Sequence, residues 1–141
     1  MPKFALDNSL GFILNRTNIK MKNTLLHKFK DYDITPEQWA VLNRLWVCDA
    51  VSPKELAELT YKDQPTTVRI LTKLENKGYI ARKVNPQDSR SFLIYLTPKS
   101  KNIRDALTQL ALEALDKATR GIDPDQLETA KSVLNQIYKN L

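Results

Sequence analysis

Chemistry that depends on thiols or imidazoles has little to work with here, because the sequence holds one cysteine, Cys48, and one histidine, His27. A single cysteine excludes an internal disulfide framework. One Cys and one His fall short of the usual zinc site, so no metal is expected. Cys48 follows Trp46 and Val47 at the end of an apolar stretch and is expected to be a small buried hydrophobe, not a redox sensor. Glycine is also scarce, at 3 residues, and none of them builds a phosphate-cradling loop or a flexible linker. No His-based dyad and no carboxylate pair stands in a recognisable motif, so neither an enzyme nor a cofactor is expected. No apolar run approaches the roughly 18 residues needed to cross a bilayer. The opening Met1-Pro2-Lys3-Phe4-Ala5-Leu6-Asp7 lacks the charged-then-apolar layout of a signal peptide. A soluble cytoplasmic protein is the expectation.

What is present is a chain of 141 residues, 42% hydrophobic and 27% charged. That mix suits one folded domain with a real core and excludes a disordered chain. The net charge is +6, and its distribution is uneven. Residues 1–49 carry seven Lys/Arg against five Asp/Glu, and residues 105–141 carry four against six. Residues 50–104 carry eleven against five. The whole excess therefore sits in the middle third, where an anionic partner would be met.

Periodicity divides the chain into elements. Leu6, Leu10, Ile13, Leu14, Met21, Leu25, Leu26 and Phe29 recur in steps of three and four, which predicts a helix from Asp7 to Phe29. Thr35-Pro36-Glu37-Gln38 reads as a capping box opening a second helix, and Ser52-Pro53-Lys54-Glu55 as one opening a third. After a turn over residues 60–63, a fourth helix runs from Gln64 to Asn76-Lys77-Gly78, where Gly is the expected left-handed cap. Two short helices joined by a tight turn make a helix-turn-helix. The period then becomes alternating over residues 79–84 and 92–97, two strands around a polar loop at 85–91. Pro98 closes the second strand. A long helix follows to Gly121, and Asp123-Pro124-Asp125-Gln126 starts a last one.

This is a mainly α fold with a small β-hairpin wing. A winged helix-turn-helix region spans residues 35–97, and long flanking helices at 6–31 and 99–141 complete a single domain over 1–141. The apolar stripes of the flanking helices are longer than a small head can cover, so Leu6, Leu10, Leu110, Leu127, Leu134, Ile137 and Leu141 are expected to form a dimer interface. A plain intramolecular core is the competing reading of those stripes. A two-fold dimer would set two recognition helices about 34 Å apart, one turn of duplex DNA.

The fourth helix carries the functional pattern. Thr67, Ile70 or Leu71, and Leu74 fall on its inward face. Pro65, Thr66, Val68, Arg69, Thr72 and Lys73 look outward, a small-residue front on which Arg reads a guanine edge and Lys and Thr reach phosphates. Arg90 on the wing loop would enter a minor groove, and Asp88 would hold the loop or that side chain. Arg82 and Lys83 would supply phosphate contacts. The expected DNA-binding set is Gln64, Pro65, Thr66, Thr67, Arg69, Thr72, Lys73, Arg82, Lys83, Asp88 and Arg90. The competing reading is a winged helix that binds protein without specific DNA affinity, which an exposed apolar recognition face would favour. Phe12, Tyr32, Trp39 and Trp46 would line a ligand pocket or, as aromatics at helical spacing often do, form plain core.

The ordered set Ser52-Pro53-Lys54-Glu55-Leu56-Ala57, Gln64-Pro65-Thr66-Thr67-Val68-Arg69, Leu74-Glu75-Asn76-Lys77-Gly78-Tyr79-Ile80-Ala81-Arg82, Asp88-Ser89-Arg90-Ser91 and Leu96-Thr97 resembles the multiple-antibiotic-resistance regulator (MarR) family. The Gln64-Pro65 start and Val68-Arg69 are most similar to its SlyA branch. The resemblance covers nearly the whole chain. It implies a homodimer that binds a pseudo-palindromic operator, more often as repressor than activator. The helix at 64–77 would sit in the major groove and Arg90 in the minor groove, with Asp88 in support. It further implies a small aromatic or phenolic effector bound between the dimerisation and DNA-binding regions. Ser100 stands where the family often has Gly, at a position that only begins the next helix.

Overall fold

Ser9, not Asp7, opens the first long helix. In the computed structural model, which describes residues 3–141, the Ser9 hydroxyl accepts the Phe12 N–H at 3.2 Å and α1 runs over Leu10–Lys28. The segment before it is a 3-10 turn, Leu6–Asn8, so the helix begins later than its apolar periodicity suggests. Met1 and Pro2, the first residues of the expected 1–141 domain, lie outside the described residues. Helix α2 covers Pro36–Val47 behind a complete capping box, with Gln38 N–H bonded to the Thr35 hydroxyl and Thr35 N–H to Gln38 Oε1. Helix α3, Pro53–Leu59, has half of one. Ser52 Oγ accepts the Glu55 N–H, but the Glu55 carboxylate takes the Ser52 hydroxyl instead of its backbone N–H. Helix α4 covers Gln64–Asn76. It ends at Gly78, whose φ of +82° suits a residue without Cβ and turns the chain so that Tyr79 N–H reaches Leu74 O.

Strands β1, Ile80–Asn85, and β2, Asp88–Leu96, form the antiparallel wing. Its turn is tighter than the polar loop read from the sequence. Asn85 pairs with Asp88, leaving Pro86-Gln87 as the bend, and the register then jumps so that Val84 pairs with Phe92. Ser89, Arg90 and Ser91 are thus bulged out of the ladder. A single bridge from Val51 to Ile94, with Ile94 N–H bonded to Val51 O at 2.8 Å, adds a third edge that the sequence did not announce. Helix α5, Pro98–Ala118, follows Thr97, and Asp123 caps α6, Pro124–Asn140, through the Asp125 N–H.

The core lies where α2, α3 and α4 meet the wing root. Leu42, Leu45, Leu56, Leu71, Leu74 and Ile94 are fully buried there, joined by Phe29, Ile34 and Leu107. Leu71 sits at its centre, so Leu71→Ala is expected to cost roughly 2–5 kcal/mol. Urea unfolding measures it, and a loss under about 1 kcal/mol would mean that the cluster is not the stabilising core. The flanking helices differ: no residue of α1 or α6 is buried. Leu6, Leu10 and Leu134 stay exposed, Leu127 and Ile137 are half-buried, and Leu141 is fully open. Leu110 is half-buried and packs in part against the chain's own core beside Ala111. Cys48 is exposed instead of buried, since α2 ends at Val47 and the chain turns outward there.

Candidate nucleic-acid interface

Helix α4 starts on a strong cap. Asp63 Oδ1 accepts the Thr66 N–H at 2.7 Å. That backbone bond, helped by the Thr66 side chain and the Arg69 charge, holds the Asp63 carboxyl below its usual range. Inward, Ile70, Leu71 and Leu74 enter the core as their spacing requires. Thr67 goes with them. It is completely buried and its hydroxyl donates to Asp63 O at 2.9 Å, so it cannot touch DNA with its side chain and leaves the expected contact set. Outward stand Gln64, Pro65, Val68, Arg69, Thr72 and Lys73, with Thr66 half-buried. Arg69 Nη2 donates to Thr66 Oγ1 at 3.2 Å, one turn back. The front is therefore low and polar, with a guanidinium braced on a hydroxyl.

The far end of α4 is tethered. Lys77 Nζ donates to Gln38 Oε1 at 3.0 Å and to Asp33 O, and lies 3.5 Å from the Asp33 carboxylate. This fixes the helix to the α1–α2 corner. No local pattern marks Lys77, because its partners lie far away in sequence.

On the wing, the bulge lifts Arg90 until its side chain is 92% exposed. Asp88 organises the bulge: its carboxylate accepts the Arg90 N–H at 3.0 Å, and its carbonyl accepts the Ser91 hydroxyl at 3.2 Å. The Arg90 Nε lies 3.5 Å from the same carboxylate. Lys83 extends across the Tyr95 ring, its Nζ 4.8 Å from the centroid, and stays on the exposed side of the strand. Arg82 turns the other way, towards α4, where its Nη2 donates to Thr72 Oγ1 at 3.1 Å and its Nε lies 3.3 Å from Glu75 Oε2. At the wing root, Asp49 Oδ1 accepts the Leu96 N–H at 3.0 Å.

The four aromatics expected around a pocket do not converge. Trp39 stacks at an angle on Phe29 at 5.1 Å and meets Trp46 edge-on at 5.6 Å, a core arrangement. Tyr32 packs against the core and Phe12 lies half-buried on α1. Only Trp39 borders the large open groove of about 1370 Å³ between α1 and α5. Trp46 borders a separate cleft with Leu96 and Arg104. Arg16, Lys20, Lys22, Lys28 and Lys117 line the large groove, with Lys22 paired to Glu37 at 3.3 Å and Lys28 to Glu113 at 3.1 Å. Its lining leaves Arg16, Lys20 and Lys117 as the cations outside those two pairs, a feature that the aromatic spacing does not signal.

Residues 34–92 match the family model described as "MarR family". The chain is 30% identical over 129 residues to the multiple antibiotic resistance protein MarR of Salmonella typhimurium, covering 91% of this chain and 90% of that one. Among solved structures, a probable transcriptional regulator from Pseudomonas aeruginosa superposes with a TM-score of 0.89 at 28% identity, over 94% of this chain and 99% of the other. A cysteine-to-serine mutant of MarR from Escherichia coli, complexed with operator DNA, superposes with a TM-score of 0.86 at 27% identity, over 91% and 92% of the two chains.

Proposed function

Because the chain belongs to the MarR family of DNA-binding transcription regulators, whose members are not enzymes, we propose that it represses transcription in the cytoplasm as a homodimer seated on a pseudo-palindromic operator. The observation that carries this reading is the presentation of two cations from one winged unit. Arg69 stands on the low outward face of α4, and Arg90 stands on the braced bulge. Val68 is the one large apolar side chain exposed on that face, which disfavours a protein-docking helix. The similar fold of the operator-bound Escherichia coli MarR mutant supports the same reading. Arg69, Lys73, Thr66 and Pro65 are assigned to the major groove, with Gln64 and Thr72 beside them. Arg90 is assigned to the minor groove and Lys83 to phosphate.

Surface area supports the dimer. A folded monomer of 16.2 kDa exposes roughly 7500 Å² by the usual size scaling. This chain exposes 10182 Å². The excess is of the size that an obligate dimer buries, and α1 and α6 leave Leu10, Leu14, Val133 and Leu134 uncovered. The groove between α1 and α5 suits a small aromatic acid as effector, its ring against Trp39 and its carboxylate beside Arg16, Lys20 or Lys117, the lining cations outside the Lys22–Glu37 and Lys28–Glu113 pairs.

The test is a mobility-shift titration on a duplex selected by the protein from a randomised pool, with unrelated DNA as competitor. Retention of the shift supports the proposal, and its immediate loss to competitor would reduce it to nonspecific charge binding. Affinity should also fall on the order of 10³-fold or more between roughly 50 and 200 mM salt, because each neutralised phosphate releases counterions. A flat salt response would remove the phosphate contacts from the account.

A further inference from the structure

Arg82 occupies a position where its charge is out of place. Partners in an antiparallel ladder share a face, and successive residues alternate. Arg82 pairs with Ile94, between Ile80 paired with Leu96 and Val84 paired with Phe92. Ile80 and Ile94 are buried, so this is the side of the hairpin that turns inward. The other side carries Lys83, spread over Tyr95. A cation on the inward side needs partners, and Arg82 has three. Its Nη2 donates to Thr72 Oγ1, its Nε lies 3.3 Å from Glu75 Oε2, and its guanidinium lies 5.1 Å from the Phe92 ring centroid. The Nε itself is shut off from solvent and makes no hydrogen bond, so its link to Glu75 is an ion pair held by charge alone. Thr72 and Glu75 belong to the last turns of α4, whereas Phe92 belongs to the wing.

From this we infer that Arg82 is a positioning residue, not a phosphate contact: it locks the wing to the recognition helix and so fixes where the Arg90 bulge falls relative to the α4 front. The inference rests on the DNA-binding reading above. Major-groove and minor-groove contacts are useful together only if their separation matches the step between adjacent grooves. The root of the hairpin is held by the Val51–Ile94 bridge, the Asp49–Leu96 bond and the buried Ile80 and Ile94, and above that root the Arg82 side chain spans it to α4. The forked guanidinium does so, with one nitrogen on a hydroxyl and another beside a carboxylate.

Glu75 supplies a test whose sign separates the two roles. A carboxylate close to a polyanion repels it, so Glu75→Gln tightens DNA binding if Arg82 and Glu75 are merely surface charges. If the pair sets the wing, the same substitution weakens binding, roughly tenfold. Arg82→Met keeps the stem over Phe92 and removes the fork. It is expected to weaken binding by a similar factor while the slope of log affinity against log salt stays that of the parent. Loss of a phosphate contact would instead lower that slope by about one per protomer. The double variant should be little worse than Arg82→Met alone, since both changes break one link. Selection repeated with Arg82→Met should return the same central bases with weaker preference at the flanking positions. The measurements are anisotropy titrations on the duplex selected by the parent protein, with sedimentation confirming that the variants remain dimers. Unchanged or tighter binding by Glu75→Gln overturns the inference, as does a reduced salt slope for Arg82→Met. If Arg82→Met fails to fold, the sign of the Glu75→Gln effect decides. A parent protein that selects no duplex over competitor fails the functional reading itself, which is a distinct outcome.

Discussion

Arg90→Ala should reduce operator affinity on the order of 100-fold while leaving folding and dimerisation unchanged. The two halves of that expectation come from separate observations. The fold does not rest on this side chain, which is 92% exposed and touches only the Asp88 carboxylate at 3.5 Å. An ion pair so open to water contributes little to stability. Binding is another matter, because an arginine placed in a groove is worth about 1–3 kcal/mol, and a symmetric dimer loses that twice. The salt slope should fall by about two for the dimer, one for each guanidinium withdrawn. Arg90→Lys keeps the charge but loses the planar fork, so it should restore the slope better than the affinity. Asp88→Ala should be milder. It leaves Arg90 in place and removes the carboxylate that accepts the Arg90 N–H at 3.0 Å, so the cost is that of ordering a looser bulge on binding. Anisotropy titration of all three variants on the parent's selected duplex checks the series. Parental affinity for Arg90→Ala would remove the wing from the interface.

The parts of this molecule that depend on near neighbours in sequence are legible in the sequence alone. Leu71 and Leu74 face inward because a helix of 3.6 residues per turn places them there, and Gly78 turns the chain because it alone accepts φ of +82° at no cost. The Thr35–Gln38 box forms as its spacing demands. Thr67 was legible too: helical period sends it inward, and period outranks the hydroxyl's suitability for phosphate. The contacts that bring distant segments together were not legible. The bridge between Val51 and Ile94, the tether of Lys77 to Gln38, and the pairing of Arg82 with Glu75 each join segments whose approach only the finished fold decides. Ser89-Arg90-Ser91 reads as loop because a bulge has the composition of a loop, and only the jump from Val84–Phe92 to Asn85–Asp88 distinguishes them. The choice between an aromatic pocket and plain core is closed to the sequence for a related reason. Trp39 and Trp46 are spaced to meet each other, and sequence does not say whether facing rings enclose a space or fill it.

Leu10→Glu combined with Leu134→Glu should convert the protein to a monomer and lower operator affinity by about 10²–10⁴-fold, the advantage that two linked half-site contacts hold over one. Both leucines are exposed in the single chain, at 53% and 40%, so neither glutamate disturbs the core built around Leu42, Leu71 and Leu74. In a two-fold interface each substitution appears twice, and a buried carboxylate without a partner costs several kcal/mol. Sedimentation velocity reads the mass, and the selected duplex reads the affinity. The two readouts must move together, since one winged unit still carries Arg69 and Arg90 in their places and retains only its half-site. A monomer that binds as tightly as the parent would mean that one unit reads the whole operator. A persistent dimer would mean that the partner covers some surface other than the one exposed by α1 and α6. The same variants also separate the wing lock from the dimer, because the Arg82–Glu75 pair lies within one protomer. In the monomer, Glu75→Gln should therefore still weaken half-site binding, by about the square root of its effect on the dimer, as two independent and equal locks require.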